Sequence, residues 1–270
     1  MSTTAQTPTH DAASGGTVPL VELRHVGKRY GSIIALKDIN LRVHAGEVTG
    51  VLGDNGAGKS TLIKIIAGLH QQSEGELLVD GEPVLFGSPK EALGKGIATV
   101  YQDLAVVSLM PVWRNFFLGQ ELRRGPLKTL DANAMRATTK AELAKMGIDL
   151  PDVDAPIGSL SGGQRQCVAI ARAIFFGARV LILDEPTAAL GVKQSGMVLR
   201  YITAAKEQGF GVVFITHNPH HAYMVGDHFV LLNRGRQKLD CTYDEITLEQ
   251  LTQEMAGGDE LEALTHELRR

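Results

Sequence analysis

Cysteine is scarce in this chain of 270 residues, which contains two, Cys167 and Cys241. They lie far apart and form neither a CxxC pair nor a cluster with histidine, which argues against a zinc site. Such sparing use of cysteine is typical of a protein kept in a reducing compartment. We expect both thiols to be chemically inert.

A large charge excess is also absent, because 27 basic residues against 30 acidic ones give a formal net charge of -3. Bulk electrostatics therefore offers no case for nucleic acid as a partner. The most apolar window, residues 168–183, is interrupted by Arg172 and Arg179, so no segment is predicted to span a membrane. Residues 1–18 lack the basic and hydrophobic regions of a signal peptide, and we expect a polar, mobile tail there.

Short apolar runs are what the chain does contain, and its 44% hydrophobic content is enough for one large core. Three of the runs, "VTGVL", "VLIL" and "VVFI", are almost continuously apolar, as in strands of a parallel sheet that helices cover on both faces. The pattern predicts the doubly wound α/β class. Strands are predicted at Val21 to Val26, Val48 to Leu52, Ile97 to Tyr101, Val180 to Leu183, Val212 to Ile215 and Phe229 to Leu232.

Strand signals fade between Gln102 and Ser159, where a helical segment appears. Asp131 is the expected N-cap of this helix and Gly147 its expected C′ residue. Apolar residues at helical spacing predict one buried face, formed by Met135, Leu143 and Met146.

We expect one folded domain in residues 19–255, because strands of the same character resume after the helical segment. A further helix is predicted in "YDEITLEQLTQEMAG", which follows Asp240. The predicted division is a core of residues 19–102 and 178–240, an inserted helical subdomain of residues 103–177 and a C-terminal tail of residues 256–270.

A glycine loop, "GDNGAGKST", follows the strand "VTGVL" and opens a helix, as the pattern GxxxxGK[ST] requires. Backbone N–H groups of such a loop surround a polyphosphate, and the helix N-terminus adds partial positive charge. Lys59 can reach the β- and γ-phosphates, and Ser60 has the position of a Mg²⁺ ligand. The predicted nucleotide-binding residues are Gly53, Asp54, Asn55, Gly56, Ala57, Gly58, Lys59, Ser60 and Thr61.

Two acidic residues end the strand in "VLILDEP", and ligands of parallel sheets bind beyond the carboxyl ends of the strands. We therefore expect Asp184 to help hold Mg²⁺ and Glu185 to polarise the water that attacks the γ-phosphorus. The strand in "VVFIT" ends before His217, which is predicted to hydrogen-bond the γ-phosphate or to orient that water.

A second glycine stretch, "LSGGQRQ", begins another predicted helix. Ser161 and Gln164 fit a capping box, but Gly162 and Gly163 each disfavour a helix by about 1 kcal/mol relative to alanine. Bare backbone N–H groups that a bulky anion can approach would explain both glycines. Because the first loop already surrounds one side of the nucleotide, we expect this helix to serve the nucleotide of a second subunit across a C₂ interface.

Taken in order, "GDNGAGKST", "LSGGQ", "VLILDEP" and "ITH" resemble the ATPase cassette of ABC transporters over roughly residues 20–240. The resemblance implies ATP as the nucleotide, with Mg²⁺. It also implies a P-loop NTPase (RecA-like) core with a mainly parallel sheet, an N-terminal antiparallel β portion and an inserted helical subdomain.

The resemblance also implies roles for single residues. Tyr30 would stack on adenine, and Gln102 would sense Mg²⁺ and water and contact a membrane subunit. Ser161 and Gly163 would close on the partner's γ-phosphate. The chain departs from the family at Gly191 in "AALG", where an aspartate that couples the two sites is usual.

The segment "NFFLGQE", beginning at Asn115, resembles cassettes that serve bacterial monosaccharide importers of the ribose and fructose type. We therefore expect an ATPase that drives sugar uptake through a separate permease and, indirectly, a periplasmic sugar-binding protein. Such a subunit would lie on the cytoplasmic face of the inner membrane, in a dimer of cassettes. The residues do not distinguish a homodimer from a heterodimer, and they do not identify the sugar.

Two other functions stay open on the residues alone. One is a soluble ABC ATPase that acts on nucleic acid or ribosomes, although such relatives usually carry a long coiled-coil insertion or two cassettes. The other is an ATP-binding regulatory module with little hydrolysis, which Gly191 would explain.

Overall fold

The computed structural model describes residues 18–148, 150 and 152–256. Most of both predicted tails, residues 1–18 and 256–270, lies outside the described residues. The strands are β1 Val21–Tyr30, β2 Ile33–Val43, β3 Val48–Leu52, β4 Glu74–Val79, β5 Glu82–Val84, β6 Ile97–Val100, β7 Arg123–Arg124, β8 Thr129–Leu130, β9 Val180–Asp184, β10 Gly211–Thr216, β11 His228–Asn233 and β12 Arg236–Thr242. The α-helices are α1 Lys59–Ile66, α2 Pro89–Gly94, α3 Val112–Phe116, α4 Ala132–Lys145, α5 Gly162–Phe175, α6 Val192–Glu207, α7 Pro219–Val225 and α8 Leu248–Met255.

One large sheet has the strand order β5-β4-β1-β2-β12-β11-β3-β10-β9-β6. Strands β11, β3, β10, β9 and β6 pair in parallel, with β6 at one end of the sheet. Strands β1, β2, β4 and β5 pair antiparallel with one another at the other end, whereas β12 pairs in parallel with β2 and antiparallel with β11. The predicted combination of a mainly parallel sheet and an N-terminal antiparallel portion is confirmed.

The central strands are buried on both faces, as their continuous apolar runs predict. All residues of β3 and β10 are buried. In β9, Leu181 and Leu183 enter the core that also contains residues of α5 and α6, whereas Val180 and Ile182 enter the core that contains residues of α1. Helices pack on both faces of the sheet and therefore fix the position of these strands, so that their carboxyl ends lie along one edge.

The helix predicted between Asp131 and Gly147 forms as α4 and has the predicted ends. Asp131 caps α4, since its carboxylate accepts a hydrogen bond of 3.1 Å from the backbone N–H of Ala134. Gly147 follows α4 with a φ of 70°, the left-handed conformation that ends many helices. Met135, Leu143 and Met146, which form the predicted apolar face, are all buried.

Two features of this region differ from the expectation. A short hairpin, β7 and β8, interrupts the segment in which strand signals fade. In addition, β6 ends at Val100, so Tyr101 lies beyond the strand to which the sequence assigns it. The predicted C-terminal helix forms as α8, after a separate 3₁₀ turn at Tyr243–Glu245.

Candidate functional site

The first glycine loop connects β3 to α1, as predicted, and two of its glycines have conformations that other residues rarely adopt. Gly53 has a φ of 147° and Gly58 a φ of 108°. A Cβ atom on Gly53 would clash with the backbone oxygen of Leu232, and one on Gly58 would lie 2.7 Å from a methyl carbon of Leu36. The loop is thus packed closely on its outer side while Asp54, Asn55 and Gly56 stay exposed.

Lys59 lies at the start of α1, and its ammonium group is folded back into the loop. Its Nζ donates hydrogen bonds to the backbone oxygens of Gly53 and Asp54, the latter at 3.1 Å. The same nitrogen is 3.9 Å from Oε1 of Glu185. Burial lowers the pKa of Lys59 from its ordinary value, so this cation is incompletely compensated and would gain from an anion in the loop.

The carboxyl end of β9 lies at the same sheet edge as the loop. Parallel pairing puts Asp184 beside Ile215 of β10, and Thr216 beside Leu52 of β3. Burial and the neighbouring Glu185 raise the pKa of Asp184, although Lys59 opposes the shift. A partly buried carboxylate at this edge would therefore be stabilised by a bound cation.

Glu185 has an unusual backbone conformation for a residue with a side chain, with a φ of 48°. Its backbone N–H donates a 2.9 Å hydrogen bond to the oxygen of Ile215. Its carboxylate is 11% exposed and lies 2.9 Å from Nδ1 of His217, whose side chain is 58% exposed. The structure thus brings two of the predicted catalytic side chains into direct contact, with Glu185 below and His217 toward solvent.

Gln102 follows the end of β6 and is exposed. β6 pairs in parallel with β9, and Val100 lies opposite Leu183. The segment that carries Gln102 consequently leaves the sheet at the edge where Asp184 lies.

The second glycine stretch forms the predicted capping box at the start of α5. The backbone N–H of Gln164 donates to Oγ of Ser161 at 3.3 Å, and the Gln164 side chain accepts from the backbone N–H of Ser161 at 2.9 Å. Across the described part of the chain, no hydrogen bond or ion pair links residues 161–164 to residues 53–61.

Contacts within the subunit supply a second reason for the two glycines. A Cβ atom on Gly163 would lie 3.2 Å from Cβ and from the backbone oxygen of Gln194. One on Gly162 would lie 2.7 Å from a methyl carbon of Leu190. The glycines therefore also permit α5 to pack closely on the start of α6, a contact that the sequence does not reveal.

Tyr30 ends β1 and is 41% exposed. Its ring makes an edge contact with His70 at 5.6 Å between centroids, and Nζ of Lys28 lies 5.1 Å from its centroid. An exposed aromatic face next to two basic side chains is suited to a planar ligand.

Residues to which the sequence analysis assigns no role also contact the site. The hydroxyl of Thr216 lies 3.3 Å from Oε2 of Glu185, and Nδ1 of His221 lies 3.0 Å from the hydroxyl of Thr187. For Thr216 a sequence signal exists, because it ends the buried strand directly before His217. His221 carries no comparable signal.

An apolar groove of about 290 Å³ lies between the sheet edge at β6 and α5. Tyr101, Leu104 and Val106 line it from the segment around Gln102, and Ala169 and Phe176 line it from α5 and the residue after it. The groove thus borders the helical segment and includes Tyr101, the residue before Gln102. No helix of the described residues is long and apolar enough to cross a membrane.

A glycine loop between a buried strand and a helix, with its lysine facing acidic residues at neighbouring strand ends, defines a nucleotide-binding protein of the P-loop class. The model of the family described as ABC transporter matches residues 36–188, more than half of the chain. The chain belongs to this family, and it is an ATPase of the ABC type.

Curated relatives are similar over nearly the whole chain. The xylose/arabinose import ATP-binding protein of Sulfolobus acidocaldarius is 42% identical over 88% of this chain and 94% of its own length. The fructose import ATP-binding protein of Rhizobium meliloti is 40% identical over 90% of this chain and 95% of its own. A ribose import ATP-binding protein of Rhizobium etli is 34% identical over 96% of this chain, which spans 50% of that relative.

Solved structures have the same fold. An ATP-binding cassette in its ADP conformation superposes with a TM-score of 0.78 at 23% identity, covering 91% of this chain and 98% of its own. A cassette solved as a dimer after hydrolysis, bound to ADP and phosphate, has a TM-score of 0.68 at 28% identity and covers 83% and 98%. The predicted fold class and the predicted ABC-type ATPase are confirmed.

Proposed function

We propose that this ATPase is the nucleotide-hydrolysing subunit of a sugar importer. A change at Glu185 is the most direct test of its hydrolysis. The observation that carries the proposal is the contact of Glu185 with His217 at 2.9 Å, with Lys59 at 3.9 Å from the same carboxylate. The names of the relatives at 40% and 42% identity support sugar import over an action on nucleic acid or ribosomes.

The loop from Gly53 to Thr61 would hold the phosphates of ATP. The backbone N–H groups of Thr61 and Leu62 donate to the oxygen of Gly58, and the N–H groups that precede them at a helix start are suited to binding an anion. Lys59 would exchange its two backbone carbonyl partners for phosphate oxygens, a stronger, charge-assisted interaction. Tyr30 would stack on the adenine ring with its exposed face.

The oxygen donors at this edge fit Mg²⁺. Ser60 is exposed at the start of α1, Gln102 is exposed beyond β6, and Asp184 is half-buried at the end of β9. A hydroxyl, an amide oxygen and one carboxylate are a set that Mg²⁺ accepts alongside phosphate oxygens. When bound, the ion would supply positive charge to the phosphates.

Glu185 would accept a proton from the attacking water. Its carboxylate is nearly buried yet adjoins the exposed His217, so a water between the carboxylate and a γ-phosphate would be oriented by both side chains. The exposed amide of Gln102 would complete the polar lining of this position.

The N-terminus of α5 would serve the nucleotide of a second subunit. Ser161 and Gly162 are only partly buried, and Gly163 and Gln164 follow in the same first turn. These residues have no polar link to the first glycine loop of their own chain within the described parts. ATP would bind between two cassettes and shift them toward a closed dimer, which would open again after hydrolysis.

The groove beside Gln102 is the proposed contact with a membrane permease. Its lining is mostly apolar and comes from both β6 and α5, as expected of a groove that receives an apolar helix of a partner. A permease helix seated there would move with Gln102, which couples the groove to the nucleotide. The cassette would then lie on the cytoplasmic face of the inner membrane, with a periplasmic sugar-binding protein acting on the other side of the permease.

Replacing Ala169 with Arg tests the groove. Ala169 lines it from α5, and a long cation there would block an apolar helix and leave a charge without a partner. We expect co-purification with the cognate permease to fall by about tenfold or more, a loss of roughly 1.4 kcal/mol.

The matched control is Ala137 replaced with Arg, since Ala137 is exposed on α4 and outside the groove. Both variants should bind ATP as the parent does. Equal recovery of the permease with the Ala169 variant and the control would contradict docking in the groove.

Introducing at position 191 the aspartate that is usual in the family tests coupling between the two nucleotide sites. Gly191 is the N-cap of α6, with a φ of −69° and a ψ of 163°, and it has no side chain that could cap the helix. Nothing lies within 4 Å of a Cβ atom built at this position. An aspartate would therefore fit and cap the helix, for a gain of a few tenths of a kcal/mol. We expect a Tm rise of about 1 °C and a higher Hill coefficient for ATP in hydrolysis assays.

Replacing Gly191 with Ala is the control, because it adds the Cβ atom without a carboxylate. This variant should lower Tm slightly and leave the Hill coefficient unchanged. A Hill coefficient that stays constant in the aspartate variant would separate position 191 from communication between the sites.

A further inference from the structure

Thr216 occupies a position between the candidate base and the backbone of the next loop. It is the last residue of β10 and only 1% exposed. Its hydroxyl lies 3.3 Å from Oε2 of Glu185 and 3.1 Å from the backbone nitrogen of Asn218. Both oxygens of the Glu185 carboxylate thus have their own partner, since Oε1 contacts His217.

The direction of these hydrogen bonds follows from the donors present. The N–H of Asn218 can only donate, so the hydroxyl oxygen of Thr216 accepts there. The single hydroxyl hydrogen is then left for the carboxylate of Glu185, which accepts it through Oε2. A carboxylate with one oxygen fixed in this way presents the other toward His217 and solvent.

The backbone of the Glu185 segment does not depend on this hydrogen bond. Its N–H donates to the oxygen of Ile215 at 2.9 Å, and its own carbonyl accepts from Ala188 at 3.0 Å. His221 holds Thr187 of the same segment at 3.0 Å. Loss of the Thr216 hydroxyl should therefore free the carboxylate to rotate without displacing the chain that carries it.

We propose that Thr216 is a positioning residue for hydrolysis, which fixes the carboxylate of Glu185 so that Oε1 faces the attacking water. The proposal rests on the proposed role of Glu185 as the base. Thr216 contacts the carboxylate and is only 1% exposed, so we expect its effect on the chemical step and not on ATP binding.

Replacing Thr216 with Val removes the hydroxyl and keeps the shape of the side chain. We expect kcat for ATP to fall by about ten- to a hundredfold, the size expected for a lost hydrogen bond to a charged group, while KM stays within about twofold. Replacing Thr216 with Ser should restore most of kcat. Replacing Thr49 with Val is the matched control, because Thr49 is equally buried in β3 and its hydroxyl donates to the oxygen of Arg42.

A double variant separates action through Glu185 from a general structural effect. In the Glu185→Gln background, single-turnover hydrolysis should not fall further when Thr216 is changed to Val, because the group that Thr216 positions is already inactive. A Thr216→Val protein with parental kcat, or a further loss of the same size in the double variant, would overturn the proposal. If Glu185→Gln alone turns over normally, the proposed role of Glu185 fails instead.

Discussion

Replacing Glu185 with Gln is expected to abolish steady-state ATP hydrolysis while ATP binding persists. Glutamine has the same shape but cannot take a proton from water, and general-base catalysis contributes about 10²- to 10⁴-fold to rates. The amide oxygen can still accept the hydrogen bond from Thr216, so the site should keep its structure. Phosphate release and nucleotide affinity, measured on the same preparation, check both parts of the expectation.

The same variant should accumulate the ATP-bound dimer. If ATP shifts two cassettes toward a closed arrangement and hydrolysis reopens them, a protein that binds without hydrolysing stays closed. Size-exclusion chromatography with ATP and Mg²⁺ should show a dimer for the variant and mainly monomer for the parent. Glu207, exposed at the end of α6, provides the control: its change to Gln should leave both turnover and oligomeric state unaltered. Parental turnover in the Glu185 variant would remove this residue as the base.

The site at the sheet edge could be predicted because local patterns encode it. Buried parallel strands appear as continuous apolar runs, and β3, β9 and β10 begin and end within one residue of their predicted bounds. The glycine loop, Asp184, Glu185 and His217 directly follow those runs, so the register of the sheet brings them to one edge. Their proximity follows from topology and needs no knowledge of side-chain packing.

The antiparallel portion was harder to predict because its strands are irregular. Buried residues of β2 recur at Leu36, Ile39 and Leu41, and the gap of three between the first two hides the period of two. Asp38 adopts a φ of 56° at this point, and the pairing of β1 with β2 shifts register there. A bulge of this kind inserts an extra residue and breaks the alternation on which strand prediction depends.

The other features that the sequence does not reveal depend on contacts between segments that lie far apart in the chain. Gly163 approaches Gln194 only because α5 packs on α6, and the hydroxyl of Thr216 reaches Glu185 only because β10 lies beside β9. Thr216 is not unusual at the end of a strand, and Gly163, although unusual in a helix, has no local feature that points to Gln194. Their partners become visible once the strand order is known.

Replacing Ser161 with Arg is expected to block hydrolysis that depends on the dimer while leaving ATP binding to the single subunit nearly intact. Ser161 is partly buried at the start of α5 and has no polar link to the first glycine loop in the described residues. A long cation there would stand between the helix and the nucleotide of the second subunit. An unpaired charge buried in an interface costs about 2–5 kcal/mol, so turnover should fall by more than about tenfold.

The variant also loses the cap of α5, which costs about 1 kcal/mol, and the control must reproduce that loss. Thr247 has the same role at the start of α8, where its hydroxyl caps Gln250 in a capping box. Replacing Thr247 with Arg should lower Tm by a similar amount and leave turnover unchanged. Nucleotide binding measured on dilute subunits, together with turnover across a concentration series, distinguishes the two effects. If the Ser161 variant fails to bind ATP as a monomer, the start of α5 contacts the nucleotide of its own subunit. The proposed contact across the dimer is then wrong.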